Sequence, residues 1–214
     1  MVAYPTPEAG LEGVRERIAR ACDRAGRSSG EVRLVAVTKA VPVAAVREAA
    51  AAGVDEFGEN YVREMEAKRR AVPEATWHFV GRLQRNKVRA LAPWVSRWQS
   101  VDREPLGSAI ATRAPGAAVL VEVNLAVEPQ KGGCAPEAIP ALVDALRDLE
   151  LRVDGLMTVH PQHGEPRRWF AALRELGARL ELPELSMGMT DDFEIAVEEG
   201  ATIVRVGRAL FGER

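Results

Sequence analysis

The stretch LSMGMTDDFEIAVEEGATIVRVGRALFG, residues 185–212, contains two successive strand–turn–helix units and decides the fold. A short strand is predicted at Glu184–Ser186, followed by a helix at Asp191–Glu199 that ends at Gly200. Thr202–Val206 is apolar and rich in β-branched residues, which is typical of a strand buried in a parallel sheet. Repetition of this unit predicts parallel strands separated by helices.

The same alternation extends back to the start of the chain, where an amphipathic helix is predicted at Glu8–Ala25. Further strands are predicted at Val32–Thr38, Val54–Phe57, Thr76–Val80, Trp98–Val101, Ala118–Val123 and Arg152–Met157. The intervening helices are predicted at about Val43–Ala52, Asn60–Arg70, Lys87–Leu91, Pro105–Ala111, Pro136–Leu149 and Glu165–Leu180. Eight strand–helix pairs predict one (β/α)8 TIM barrel domain over residues 1–214, with an additional N-terminal helix. An open doubly wound sheet is the alternative.

Composition narrows the class of protein. The 214 residues are 47% hydrophobic and 28% charged with a net charge of −2, so no general attraction to nucleic acid or anionic lipid is expected. Cys22 and Cys134 are too few for a disulfide framework and lack zinc-ligand spacing, so no metal site is predicted. The N-terminus lacks a secretory pattern, and no apolar run approaches the roughly 18 residues of a membrane span. We therefore expect a cytoplasmic protein, and a monomer, because no large apolar stripe stands out.

One basic helix favours the alternative of nucleic-acid binding. RLQRNKVR, residues 82–89, carries Arg82, Arg85, Lys87 and Arg89. No aromatic residues interleave these charges, although stacking side chains are typical of single-strand binding surfaces. A solvated face or the mouth of an anion pocket explains the charges better, so no nucleic-acid partner is predicted.

Lys39 follows the first predicted strand. Counting by twos, Lys39 lies on the same face as Val37 and Val35, at the carboxyl end of the strand, where TIM barrels carry their reactive groups. A lysine above an apolar layer can lose hydration and act as an amine nucleophile. The alternative is a lysine that extends to solvent.

Two glycine-containing turns predict a phosphate site. Ser186–Thr190 follows the seventh strand and Val206–Gly212 the eighth, where barrels often bind phosphate at backbone N–H groups and helix starts. Ordinary turns are the alternative. Arg205, in phase with Ile203 inside the eighth strand, needs a partner, either an ion pair, for example with Glu122, or a ligand atom. An aldehyde for the lysine, a phosphate and a heteroatom for the arginine together indicate pyridoxal 5′-phosphate.

Several motifs carry a family resemblance. In chain order they are LVAVTK (34–39), FGENYVRE (57–64), WHFVGRLQRNK (77–87), SVD (100–102), GLMTV (155–159) and residues 185–212. With these motifs the chain resembles the pyridoxal phosphate homeostasis proteins (YggS/PROSC type), relatives of the alanine racemase N-terminal barrel with the architecture of a fold-type III barrel.

The resemblance implies a role for each of nine residues. Lys39 would attach the cofactor as a covalent aldimine, and Arg205 would face the pyridine nitrogen. The phosphate would be held by Ser186, Met187, Gly188, Gly207 and Arg208, with Asn60 near the ring and His78 near the pocket. Several positions depart from the pattern. Ala40 replaces a polar residue, Arg82 and Arg85 make the third motif more basic, and His160 follows the sixth strand where a glycine-containing version is expected. Arg208 replaces a small hydroxyl residue, whose phosphate bond its guanidinium would have to supply.

The resemblance also implies a role in intracellular pyridoxal phosphate homeostasis, as a carrier or buffer without robust turnover. An arginine opposite the pyridine nitrogen opposes its protonation and weakens the ring as an electron sink. Racemisation in the related barrel uses a second base from an additional domain, and neither Tyr4 nor Tyr61 is expected to replace it. A pyridoxal-phosphate-dependent racemase is the alternative function. Pyridoxal-phosphate-dependent apo-enzymes are candidate recipients, which the sequence does not identify.

Overall fold

Eight parallel strands form the centre of the molecule in a computed structural model that describes residues 6–161 and 165–212. The strands are β1 (Arg33–Val37), β2 (Glu56–Glu59), β3 (Thr76–Phe79), β4 (Arg97–Val101), β5 (Ala118–Val123), β6 (Arg152–Thr158), β7 (Glu184–Ser186) and β8 (Ile203–Val206). They pair in sequence order, and β8 pairs with β1 to close the barrel. The (β/α)8 prediction is therefore confirmed, and the open doubly wound alternative is wrong.

Helices surround this barrel. They are α1 (Pro7–Ala25), α2 (Val43–Ala51), α3 (Val62–Ala71), α4 (Val88–Leu91), α5 (Glu104–Arg113), α6 (Ile139–Asp148), α7 (Pro166–Arg179), α8 (Phe193–Glu198) and α9 (Arg208–Phe211). The predicted additional helix is α1, which packs against α8 and α9. At Gly10 a Cβ atom would lie 2.7 Å from the carbonyl oxygen of Leu210, so this glycine lets α1 approach α9 closely. None of the described helices is both long and apolar enough to cross a membrane.

Several helices begin later than predicted, and for α3 and α8 a carboxylate in the preceding turn contributes to the difference. Helix α3 begins at Val62 rather than Asn60, because the Glu59 carboxylate accepts the N–H groups of Asn60 and Tyr61 in an extended turn. Helix α8 begins at Phe193 rather than Asp191. In the turn before α8 the Asp192 carboxylate accepts the N–H of Met189 at 2.6 Å, so a side-chain carboxylate holds the backbone in both turns.

The barrel interior is closed at one end and open at the other. Its centre is a small apolar cluster of Val35, Leu120, Met157 and Ile203. Charged side chains follow at the strand starts, where ion pairs join Arg33 Nη2 to Glu184 Oε1 at 2.8 Å and Arg97 Nη2 to Asp154 Oδ2 at 3.2 Å. These pairs fill the amino-terminal end, so an interior ligand site can open only at the carboxyl ends of the strands.

Candidate cofactor-binding site

A cavity of about 570 Å³ opens at the carboxyl ends of the strands. Five of the nine predicted cofactor-binding residues line it: Lys39, Asn60, Arg205, Gly207 and Arg208. Its size is within the usual range for small-molecule and cofactor sites. The whole lining carries three basic side chains, those of Lys39, Arg205 and Arg208, against the two carboxylates of Asp191 and Asp192, so a net positive charge remains for an anionic ligand.

The backbone on both sides of Lys39 is held by side chains of α3, the buried Lys68 and the partly exposed Glu64. Val35 is buried in the barrel while Val37 and Lys39 line the cavity, as counting by twos predicts. The carbonyl of Thr38 accepts a 2.6 Å hydrogen bond from Lys68 Nζ, and the N–H of Ala40 donates to Glu64 Oε2 at 2.9 Å. Residue 39 is thus bracketed between two fixed peptide groups.

The side chains that form this bracket are Thr38, Glu59, Glu64 and Lys68, and we call them the lysine bracket. Glu59 is fully buried, and its Oε2 accepts from Thr38 Oγ1 at 2.8 Å and from Lys68 Nζ at 2.7 Å. Its Oε1 accepts the two backbone N–H groups that follow. A buried ion pair is tolerated when its remaining polar atoms are satisfied, as they are here. Sequence reasoning missed this cluster, although a glutamate that ends a buried strand is a signal for it.

Arg205 is a buried cation whose hydrogen-bond partners are neutral. The residue is 5% exposed, and its Nη1 and Nη2 donate to Ser186 Oγ at 2.7 Å and to the Thr158 carbonyl at 2.8 Å. Burial lowers the pKa of Arg205 to about 10, so the guanidinium stays charged at neutral pH. A buried charge of this kind is stabilised by an acceptor, and the cavity is where a ligand could supply one.

Glu122 does not form the ion pair with Arg205 that the sequence offered as an alternative; within the described chain, Arg205 has no carboxylate in ion-pair contact. Burial, and secondarily the charge of Asp102, raise the pKa of the Glu122 carboxyl to about 7, while Arg205 and Arg82 lower it. The carboxyl therefore changes its charge near neutral pH rather than in the acid range. Glu122 is a titrating group near the barrel mouth rather than a fixed counter-ion.

The turn after β7 is shaped by Gly188 and lines the cavity through Met189, Thr190, Asp191 and Asp192. Gly188 has a φ of +89°, and a Cβ atom there would lie 2.5 Å from the Cβ of Ala196. The Met187 N–H donates to the Ile203 carbonyl at 3.1 Å. Of the residues predicted to hold phosphate, Ser186, Met187 and Gly188 do not themselves line the cavity, and the Ser186 hydroxyl accepts a hydrogen bond from Arg205.

The turn after β8 lines the cavity as well. Gly207 and Arg208 border it where α9 begins, and the Arg208 side chain, half-exposed, forms an ion pair with Asp191. Neighbouring Asp192 pairs with His160, whose Nε2 lies 2.5 Å from its Oδ2. That contact raises the pKa of His160.

Asn60 and His78 lie at different depths. Asn60 lines the cavity, and its Oδ1 is buried without a hydrogen-bond partner in the described part of the chain. It does not cap α3, whose N-cap is Tyr61 and which has no side-chain cap bond. His78 is fully buried in the barrel interior, in the layer of side chains below the cavity. It contacts Gln99 and Glu56.

A closed parallel barrel with an amine after its first strand and a glycine turn after its last belongs to a known class of fold. The family model for the alanine racemase N-terminal domain matches residues 11–214. Alanine racemase from Corynebacterium glutamicum has the same fold, with a TM-score of 0.71 at 19% identity over 94% of this chain and 60% of that chain.

More similar proteins narrow the class. The pyridoxal phosphate homeostasis protein of Aquifex aeolicus is 44% identical over 220 residues, which cover 95% of this chain and 96% of the relative. The structure of PipY from Synechococcus elongatus, with pyridoxal phosphate bound, matches with a TM-score of 0.80 at 34% identity, over 93% of this chain and all of that chain. The chain therefore belongs to the pyridoxal phosphate homeostasis protein family, as its motifs indicate.

Proposed function

We propose that this chain binds pyridoxal 5′-phosphate through Lys39 and holds it for intracellular homeostasis, without sustained turnover of amino acids. One observation carries the proposal: the buried guanidinium of Arg205 and the amine of Lys39 line the same cavity, and Arg205 has no carboxylate partner in the described chain. Such a cation is incomplete without an acceptor from a ligand. The pyridoxal phosphate bound to PipY is consistent with this assignment.

The cofactor's three functional groups fit the residues that are present. The Lys39 amine would take the aldehyde, Arg205 the ring nitrogen, and the Gly207–Arg208 turn the phosphate. The buried Asn60 Oδ1 has an unused acceptor near the ring site. Ser186 would contribute indirectly, by fixing Arg205, and Gly188 by allowing the close approach of α8 behind the turn.

The cavity offers little for proton transfer to a substrate. When bound to an amine, the cofactor supplies an electron sink, and its chemistry then depends on positioned acids and bases. No tyrosine, histidine or cysteine lines the cavity in the described residues. The carboxylates of Asp191 and Asp192 are engaged by Arg208 and His160. The positive charge of Arg205 would also keep an adjacent pyridine nitrogen unprotonated. These features favour a holder of the cofactor over a racemase.

Covalent attachment of the cofactor to Lys39 is tested by mass spectrometry of the intact protein. Protein incubated with pyridoxal phosphate should show a visible absorbance band. After reduction with borohydride it should gain the mass of one reduced cofactor. Lys39→Ala should lose both signals. Lys87→Ala, on the exposed 3₁₀ turn Arg85–Lys87, is the matched control and should keep them. A stoichiometric adduct on Lys39→Ala would contradict the assignment of the amine.

Turnover is tested separately. Protein loaded with pyridoxal phosphate is incubated with a large molar excess of L- or D-amino acids. It should form no more product than the Lys39→Ala variant. Sustained conversion that depends on Lys39 would contradict the holder role and leave the attachment site intact.

A further inference from the structure

A continuous set of buried polar side chains runs through the barrel interior from Arg205 away from the cavity. Its members are Ser186 on β7, Gln99 on β4, His78 on β3 and Glu56 on β2. Ser186, Gln99 and His78 are each completely buried. Uncharged polar groups at this depth are costly unless each finds a partner, so the order of their hydrogen bonds is informative.

The contacts link these residues in series. Arg205 Nη1 donates to Ser186 Oγ at 2.7 Å, and Ser186 Oγ donates to Gln99 Oε1 at 2.6 Å. Gln99 Nε2 lies 2.6 Å from His78 Nδ1. His78 Nε2 lies 2.9 Å from Glu56 Oε2, a contact at ion-pair distance.

The arginine determines the direction of the whole chain. A guanidinium has only donors, so Ser186 Oγ must accept from Arg205 and direct its single proton to Gln99 Oε1. The amide group of Gln99 then presents its NH₂ to His78 Nδ1, which must accept. His78 is left with its proton on Nε2, facing the carboxylate of Glu56.

The reverse arrangement leaves a proton without a partner. If Gln99 were turned over, its NH₂ would donate to Ser186 Oγ and its oxygen would accept from His78 Nδ1–H. Ser186 Oγ would then receive two donors, and its own proton would have no acceptor along the chain. In a site this buried, that loss is unfavourable.

We infer that Gln99 and His78 are positioning residues: the chain from Arg205 through Ser186 holds His78 as the neutral Nε2–H tautomer, and this chain in turn fixes the orientation of the Arg205 guanidinium at the cavity. The charges around His78 are those of Glu56 on β2, Arg33 on β1 and Arg97 on β4. Burial lowers the pKa of His78, opposed by Glu56 and reinforced by the two arginines. The neutral ring that the hydrogen bonds require is therefore also the form that its surroundings favour.

The tautomer is measured directly in the protein without cofactor. Long-range ¹H–¹⁵N correlation spectra at neutral pH distinguish a protonated from an unprotonated ring nitrogen, and His78→Gln identifies the signal among the three histidines. We expect an unprotonated Nδ1 and a protonated Nε2. A protonated Nδ1, alone or together with Nε2, would overturn the inference.

A conservative substitution tests the direction of the chain. In Gln99→Glu the carboxylate still accepts from Ser186 Oγ but has no donor for His78 Nδ1, so His78 should move its proton to Nδ1. A residue that only fills space would not change the tautomer. An unchanged Nε2–H form in folded Gln99→Glu would count against the direction assigned here.

The positioning of Arg205 is tested by cofactor affinity, and this arm rests on the proposed function. Gln99→Leu removes the support of Ser186 and should weaken pyridoxal phosphate binding about three- to ten-fold, the range of one hydrogen bond. Gln84→Leu, at an exposed position, is the matched control. Unchanged affinity in folded Gln99→Leu would refute the positioning role. Failure of the wild type to bind the cofactor would refute the proposed function and leave the tautomer measurement standing.

Discussion

Glu122 provides a quantitative test of the electrostatics at the barrel mouth. Its carboxyl binds a proton more tightly in the folded chain, where burial raises its pKa to about 7, than in the unfolded chain, where the ordinary value is 4.5. Ionisation of Glu122 therefore opposes folding. The associated stability is fully present below about pH 4.5 and is lost progressively as the pH rises through 7.

The substitution Glu122→Gln keeps the shape of the side chain and removes its charge. A pKa that rises from 4.5 to about 7 corresponds to about 3 kcal/mol between the two protonation states. Relative to the wild type, the free energy of unfolding of Glu122→Gln should therefore increase by about 3 kcal/mol between pH 4 and pH 8. At the acid end the two proteins should differ little.

Urea denaturation at a series of pH values measures this difference, provided that the m-values of the two proteins agree. Glu12→Gln, on the exposed face of α1, is the matched control, and its difference from the wild type should change little with pH. A pH-dependent gain below about 1 kcal/mol for Glu122→Gln would show that water or Arg205 stabilises the ionised carboxylate, and the electrostatic reasoning would be wrong.

Two further predictions concern the groups that frame the cavity. Lys68→Met leaves the buried carboxylate of Glu59 without its amine partner and should lower the free energy of unfolding by about 3–5 kcal/mol. Lys87→Met, on the exposed turn, should change it little. Equal effects of the two substitutions in urea denaturation would contradict the stabilising role of the lysine bracket. Gly188→Ala should cost about 2 kcal/mol or more because of its positive φ and its contact with Ala196, and should lower the melting temperature. Gly13→Ala, in open space on α1, should raise the melting temperature slightly, and a similar rise for Gly188→Ala would refute the close packing.

The barrel was predictable because its period is carried by local sequence. Buried parallel strands read as short apolar runs, and the helices between them are amphipathic, so order and number follow without knowledge of contacts. The errors lie at boundaries where a side chain competes with the backbone. Asn60 looked like the first residue of a helix, but Glu59 holds its N–H group in a turn. That competition depends on where a buried carboxylate points, which local sequence does not specify.

The site was predictable where a charged residue interrupts an apolar run, as at Lys39 and Arg205. The partners of those residues were not. Gln99 contacts Ser186 across the barrel, 87 positions away in the chain, and Lys68 contacts Thr38 from a helix 30 positions later. Such contacts depend on strand register and helix rotation, both of which follow from packing of the complete barrel. For the same reason Glu122 was a reasonable but incorrect counter-ion for Arg205.

The barrel closes by pairing β1 with β8, and α1 packs against α8 and α9. Folding during synthesis therefore depends on contacts between early and late parts of the chain. β1 emerges from the ribosome more than a hundred residues before β8, so the edge of β1 that pairs with β8 stays open until β8 has been made. The turn bearing Gly207 follows β8 and is therefore synthesised after it. A nascent chain therefore cannot assemble the complete pocket until β8 and the turn after it have been synthesised, and ligand capture by the complete pocket must come after that point.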